Sequence, residues 1–192
     1  MVPDVRAAKA ALRARLFAAR AARAPAEVVA AGDALAATAP ALPPARLVAA
    51  YAGVGVEPPT LPLLDRLADA GASVLLPLLL PDWDLDWAAY TGPDELRAGR
   101  FGLREPIGPS LGRAAIATVD LVLVPALAVD RAARRLGRGG GSFDRVLARV
   151  RPDVPVIAVV YADEVLAEPL PVEPHDRLVD AALTPMGPLP LR

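Results

Sequence analysis

Along this chain, short apolar runs alternate with segments whose apolar residues recur at helical spacing. Residues 4–23 predict a helix in which Val5, Ala8, Leu12 and Leu16 form an apolar stripe. Arg6, Lys9, Arg13, Arg20 and Arg23 lie largely off it. Lys9 and Arg13 are four positions apart and project from one side, on pattern alone a solvated basic face. Pro25 separates a second helix at 26–37, and Pro40, Pro43 and Pro44 lead into an apolar strand at 46–51. A loop with Gly53, Gly55 and Glu57 follows, then a helix through Leu61, Leu64 and Leu67 to Gly71. Residues 73–77 predict the next strand. Residues 85–90 alternate (Leu85, Trp87, Ala89) as in a more exposed strand, and 91–111 form a long irregular segment.

The stretch from Asp120 to Val150 organises the rest. Leu121 to Val124 is a continuous apolar run ended by Pro125, the pattern of a strand buried on both faces. Residues 131–141 read as a polar loop carrying Arg131, Arg134, Arg135 and Arg138 and ending in Gly139, Gly140 and Gly141. Phe143, Val146, Leu147 and Val150 then recur at helical spacing, with Ser142 placed to cap the helix. Strand, glycine-rich loop and helix start together suit a phosphate: glycines let amide groups approach the anion, and the arginines supply countercharge. Asp144 beside such a cradle suggests a magnesium–nucleotide rather than a bare anion, since Mg²⁺ commonly binds through one or two carboxylates plus phosphates. No Lys-Ser/Thr pair follows the glycines, so this is not a P-loop, and no G-x-G-x-x-G opens the first strand. A buried strand at 154–161, a short helix at 163–168 and a last strand at 179–184 complete the pattern. Strands alternating with helices predict a three-layer α/β sandwich with a mostly parallel sheet, in one domain. Glu57, in a loop leaving the carboxyl end of a strand, is a candidate for binding a polar substrate.

Composition changes this picture little. The 192 residues carry a net charge of −1, which gives no steering toward nucleic acid or an anionic membrane. No cysteine is present, which excludes disulfides and thiol catalysis. The longest apolar run, Val74 to Leu80, is broken by Pro77 and falls short of the ~20 residues a membrane span needs. A soluble, cytoplasmic, monomeric protein is the expectation.

RLGRGGGSFDR (Arg135 to Arg145) resembles the glycine-rich signature of the 5-formyltetrahydrofolate cyclo-ligase family. KAALR (Lys9 to Arg13), EPPT (Glu57 to Thr60), FGLREP (Phe101 to Pro106) and HD (His175, Asp176) agree with it in order. The resemblance implies a Rossmann-like fold similar to the NagB/RpiA/CoA-transferase group. It also implies ATP- and Mg²⁺-dependent cyclisation of 5-formyltetrahydrofolate to 5,10-methenyltetrahydrofolate. It places Lys9, Arg13 and Arg135, Leu136, Gly137, Arg138, Gly139, Gly140, Gly141, Ser142 and Phe143 at ATP. Arg138 to Ser142 also touch the folate, with Glu57 on the pterin. Arg138 and Asp144 are the expected catalytic pair, Asp144 and Asp176 the expected magnesium-associated aspartates, and His175 is structural. Two departures stand out: Ser142 and Phe143 occupy positions where the family usually has tyrosines, and Glu164 stands where it often has Gln. A non-catalytic folate- or nucleotide-binding paralogue is the alternative they raise. An RNA-associated protein using the Arg131–Arg138 cluster would need interleaved aromatics and a basic overall charge, which this chain lacks.

Overall fold

The structure is a computed structural model that describes residues 4–171 and 177–191. Helices α1 (Val5–Ala21) and α2 (Pro25–Ala37) open the chain, followed by strand β1 (Leu47–Ala49) and helix α3 (Leu61–Asp69). Strands β2 (Ser73–Leu79) and β3 (Leu85–Ala89) form a hairpin, and β4 (Leu96–Ala98) and β5 (Arg104–Pro106) a small antiparallel ribbon. Strand β6 (Leu121–Pro125) leads into β7 (Ala128–Asp130) and β8 (Arg135–Leu136). Then come helix α4 (Ser142–Leu147), β9 (Val156–Val159), β10 (Val165–Leu166), β11 (Ala181–Thr184) and β12 (Gly187–Pro190).

Seven strands form the main sheet in the order β12-β11-β9-β6-β1-β2-β3. The inner neighbours pair parallel; β3 and β12 add on antiparallel at the two edges. Side chains of a strand alternate between faces, and the core divides accordingly. Val122, Val124, Val156 and Ala158 pack on Ile116, Val146, Leu147 and Val150. Val48, Leu121, Leu123, Ile157 and Val159 pack on Leu35 of α2 and Leu63, Leu64 and Leu67 of α3. The expected mostly parallel three-layer arrangement is present. A third core joins Leu16 of α1 to Leu127, Ala128, Leu136 and Leu170, beneath the small sheet β10-β7-β8.

Several local expectations are corrected. Residues 131–141 are not all loop, because Arg135 and Leu136 pair with Val129 and Ala128 as β8. Helix α4 ends at Leu147, and its N-cap is Gly141, left-handed at φ 71°, not Ser142. Residues 163–168 are not a helix: a 3-10 turn at Ala162–Glu164 runs into β10. β3 is an edge strand but not an exposed one. Trp87 is wholly buried, since the 3-10 turn Arg113–Thr118 brings Ile116 into the same core and Leu111 N–H donates to Trp87 O at 2.8 Å. Lys9 and Arg20, placed off the apolar stripe, are both buried.

Candidate active site

At the carboxyl ends of β1 and β6, where open α/β sheets place ligands, lies a cavity of about 370 Å³. Its lining includes Arg135 and Gly137 to Asp144, Tyr51, Ala52 and Glu57, and Trp83, Phe101, Leu103 and Arg104.

The glycine bend is shaped by its backbone. Gly139 (φ 103°) and Gly141 (φ 71°) are left-handed, which L side chains rarely adopt. Gly139 also faces Arg13, whose guanidinium carbon would lie 3.3 Å from any Cβ added there. Arg13 Nε donates to Gly137 O at 2.9 Å, so α1 and the bend are braced together. Arg13, expected at ATP, thus stands against the glycine segment without itself lining the cavity. Lys9, one turn earlier on α1, is 6% exposed.

Of the four arginines read as countercharge, Arg135 and Arg138 border the cavity. Arg134 instead faces Asp130 at 3.7 Å, and Arg131 is exposed outside the lining. The Arg135 side chain is buried, ion-paired to Asp144 through Nη2, with its Nε lacking a partner among the described residues. Asp144 keeps its carboxylate at the cavity wall with the side chain one-third exposed. The Leu136 side chain points away, into the third core. Ser142 and Phe143 both line the cavity, and Phe143 meets Tyr51 edge-on with ring centroids 6.5 Å apart.

Glu57 is buried and held on two sides. Its Oε2 accepts from Val54 N–H at 3.0 Å, and its Oε1 from Arg138 Nη1 at 3.2 Å. The loop around it is tightly wound: Thr60 Oγ1 accepts from Gly53 N–H at 2.8 Å and donates to Tyr51 O at 2.6 Å. A Cβ on Gly53 would come within 2.3 Å of Pro58 O, so only glycine fits. The Arg138 guanidinium lies 5.6 Å over the Phe17 ring of α1.

Tyr51 was not picked out by the sequence pattern, where it only ends a strand. Its buried hydroxyl has no hydrogen-bond partner among the described residues. Burial, and next the Glu57 charge, push it well above the ordinary tyrosine value, so it is a neutral donor. Trp83 and Phe101 were likewise missed as a pair. Their rings stack with centroids 5.0 Å apart and planes 19° from parallel.

Glu164 lies away from the cavity. Its carboxylate receives Arg20 Nε at 2.7 Å and Nη2 at 2.8 Å, both side chains being almost wholly buried. The charge at this position is therefore matched by α1 rather than presented to a ligand. The expected metal ligand Asp176 and neighbouring His175 lie outside the described residues. Among the described residues no cluster of three or more His, Cys, Asp or Glu could cage a metal ion. The donor set fits a magnesium ion shared with phosphates, for which one or two carboxylates suffice, and Asp144 on the cavity wall is such a carboxylate. Among the same residues no helix is long and apolar enough to cross a membrane.

The chain matches the profile of the 5-formyltetrahydrofolate cyclo-ligase family over residues 5–185. It is 48% identical over 137 residues to a 5-formyltetrahydrofolate cyclo-ligase of Mycolicibacterium smegmatis, covering 69% of this chain and 70% of that one. A protein of the same name from Escherichia coli K12 is 34% identical over 129 residues, covering 66% and 70%. Among solved structures, 5,10-methenyltetrahydrofolate synthetase of Aquifex aeolicus superposes with a TM-score of 0.80 at 27% identity, over 96% of this chain and 93% of that one. The corresponding synthetase of Mycoplasma pneumoniae shares the fold at 18% identity, with a TM-score of 0.70 over 91% and 96%.

Proposed function

From the premise that the chain belongs to the 5-formyltetrahydrofolate cyclo-ligase family, we propose that it converts 5-formyltetrahydrofolate and ATP to 5,10-methenyltetrahydrofolate, ADP and phosphate. The observation that carries this reading is one cavity lined both by a glycine bend with Arg135, Arg138 and Asp144 and by the buried Glu57.

A formamide oxygen is a poor leaving group and must be activated before N10 can displace it. In the proposed sequence that oxygen attacks the γ-phosphorus and ADP departs. N10 then attacks the formyl carbon to close the five-membered ring and gives up its proton, and phosphate leaves with that proton and the former formyl oxygen. Such transfer depends mainly on positioning and charge neutralisation. The amides of Gly139 to Gly141 cradle the terminal phosphates, with Arg135 and Arg138 as countercharge and Lys9 and Arg13 closing the nucleotide side from α1. Ser142, Phe143 and the main chain of Leu136 and Gly137 complete that side. Asp144, with Asp176, would hold Mg²⁺, which when bound neutralises charge developing on the phosphoryl oxygens.

Glu57 accepts two N–H bonds from the aminopyrimidine edge of the pterin. Arg138 leans on that carboxylate across a long 3.2 Å contact, with half its side chain exposed. A pterin seated on Glu57 frees the Arg138 head for the phosphates, which couples folate binding to charge on the nucleotide side. The orphaned Tyr51 hydroxyl offers a further donor to a polar ligand.

The test is spectrophotometric. Methenyltetrahydrofolate absorption is expected only when 5-formyltetrahydrofolate, ATP and Mg²⁺ are supplied together, and its absence with all three overturns the proposal. Ligand binding without that absorption would favour the non-catalytic paralogue. Of the departures behind that alternative, Glu164 is spent on Arg20, whereas Ser142 and Phe143 border the cavity.

A further inference from the structure

The turn joining β2 to β3 holds a residue that its backbone disfavours. Leu80 N–H donates to Asp84 O at 3.0 Å, and Trp83 N–H to Leu80 O at 3.1 Å. This is the bonding of a three-residue hairpin loop made of Pro81, Asp82 and Trp83. In such a loop the first two residues form a type I turn, which favours proline first, and the third is left-handed, the usual place of a glycine. Trp83 occupies it with φ 64°, an outlier for so bulky a side chain. Among the described residues the indole joins none of the core clusters, and it is 43% exposed.

What the indole does instead is border the cavity, stacked on Phe101. Phe101 is also left-handed, at φ 57°, and also exposed. Two aromatic residues in disfavoured backbone, from separate segments, thus meet at the cavity mouth. Strain kept at such a place points to use by a ligand. The turn itself is fastened from behind: Asp84 takes both Nη atoms of Arg149 (2.8 and 3.0 Å) and one of Arg113 (3.0 Å), and Arg113 also holds Asp82 at 2.8 Å.

We propose that Trp83 is a substrate-contact residue, whose indole, backed by Phe101, stacks on the aminobenzoyl ring of the folate. The proposal rests on the folate reading above. Glu57 is buried inside the cavity, whereas Trp83 and Phe101 form an exposed part of its wall. A folate with its pterin on Glu57 therefore carries its second ring outward toward them, and offset stacking of flat rings rewards that placement.

The experiment compares the wild type with Trp83→Gly, which suits the backbone and removes the ring, and Trp83→Phe, which keeps a ring. Trp83→Gly is expected to melt at or above the wild-type temperature while raising the KM for 5-formyltetrahydrofolate about tenfold. The KM for ATP stays within about twofold, and Trp83→Phe recovers most of the folate affinity. Fluorescence reads the same contact directly. The protein's two tryptophans are Trp83 and the fully buried Trp87. Saturating 5-formyltetrahydrofolate should quench the wild type but not Trp83→Phe, whose remaining indole is Trp87. A folate KM in Trp83→Gly within about twofold of an active wild type overturns this proposal alone. A wild type that neither binds nor cyclises 5-formyltetrahydrofolate overturns the assigned function, and this contact with it.

Discussion

Asp144 sits where two demands meet. Its ion pair is the one salt bridge described for the buried Arg135 head, and it is also the carboxylate on the phosphate side of the cavity. Replacing it by Asn keeps the shape and removes the charge, leaving a buried guanidinium whose other described bond is Nη1 to Pro125 O at 3.4 Å. Asp144→Asn is expected to lower turnover about 100-fold or more and to change the magnesium dependence, measured by titrating the metal at saturating ATP. Wild-type turnover with unaltered metal dependence would remove Asp144 from the site. At this scale the sequence was legible wherever chemistry and conformation coincide in one residue type. Glycines at 139 and 141 can be read as a bend because few other residues tolerate that backbone, and an acid in a loop at a strand end can be read as a binder. Trp83 could not be read, because nothing local announces that a glycine position in a turn has been given to an indole. Tyr51 could not either, since an orphaned hydroxyl exists only once its surroundings are assembled.

Helix α1 gives the lesson at the level of elements. Periodicity places Arg20 largely off the apolar stripe, yet the residue is 2% exposed. A buried cation is tolerable when it is paired and hydrogen-bonded, and its partner lies 144 positions away in sequence, beyond any window. Arg20 fills both carboxylate oxygens of Glu164, donates to Ala126 O at 2.6 Å and lies 5.6 Å over the Tyr161 ring. Burial opposes its charge, but the hydrogen bonds and charge of Glu164 outweigh it and raise the pKa. Arg20→Ala leaves Glu164 buried and uncompensated, so a loss of about 3–5 kcal/mol is expected in chemical denaturation. Arg20→Lys, which keeps the charge but not the fork, should lose less. Because α1 also carries Arg13, Arg20→Ala should weaken ATP binding without any contact to ATP. An unchanged unfolding midpoint would show that the pair holds nothing. The central strands were legible as apolar runs, whereas β8 and β10, two residues each, have no period to detect and exist through pairing with β7.

Across the whole molecule, one carboxylate links segments that the chain keeps far apart. Asp84 joins the β2–β3 turn to Arg113, at the start of a 3-10 turn, and to Arg149, just beyond α4 and hence behind the glycine bend. The turn that carries Trp83 is thereby tied to the segment that follows α4. The paired guanidinium of Arg149 in the first place, helped by the Leu85 N–H and the Arg113 charge, holds the Asp84 carboxyl below the ordinary carboxylate range. The sign of the consequence is fixed by linkage. With a folded pKa below the unfolded value of about 3.9, the unfolded chain binds more protons in the interval between them, so stability rises with pH there. The contribution is present in full above the unfolded value and fades as pH falls through the folded one. Asp84→Asn should therefore melt below the wild type by a constant margin from about pH 7 to pH 5, a margin that narrows only below about pH 4. Thermal midpoints of the two proteins across that range provide the measurement. A margin that stays constant into acid would mean that the charge of Asp84 contributes nothing to holding these segments together, and that hydrogen-bond shape alone fastens the turn beneath Trp83.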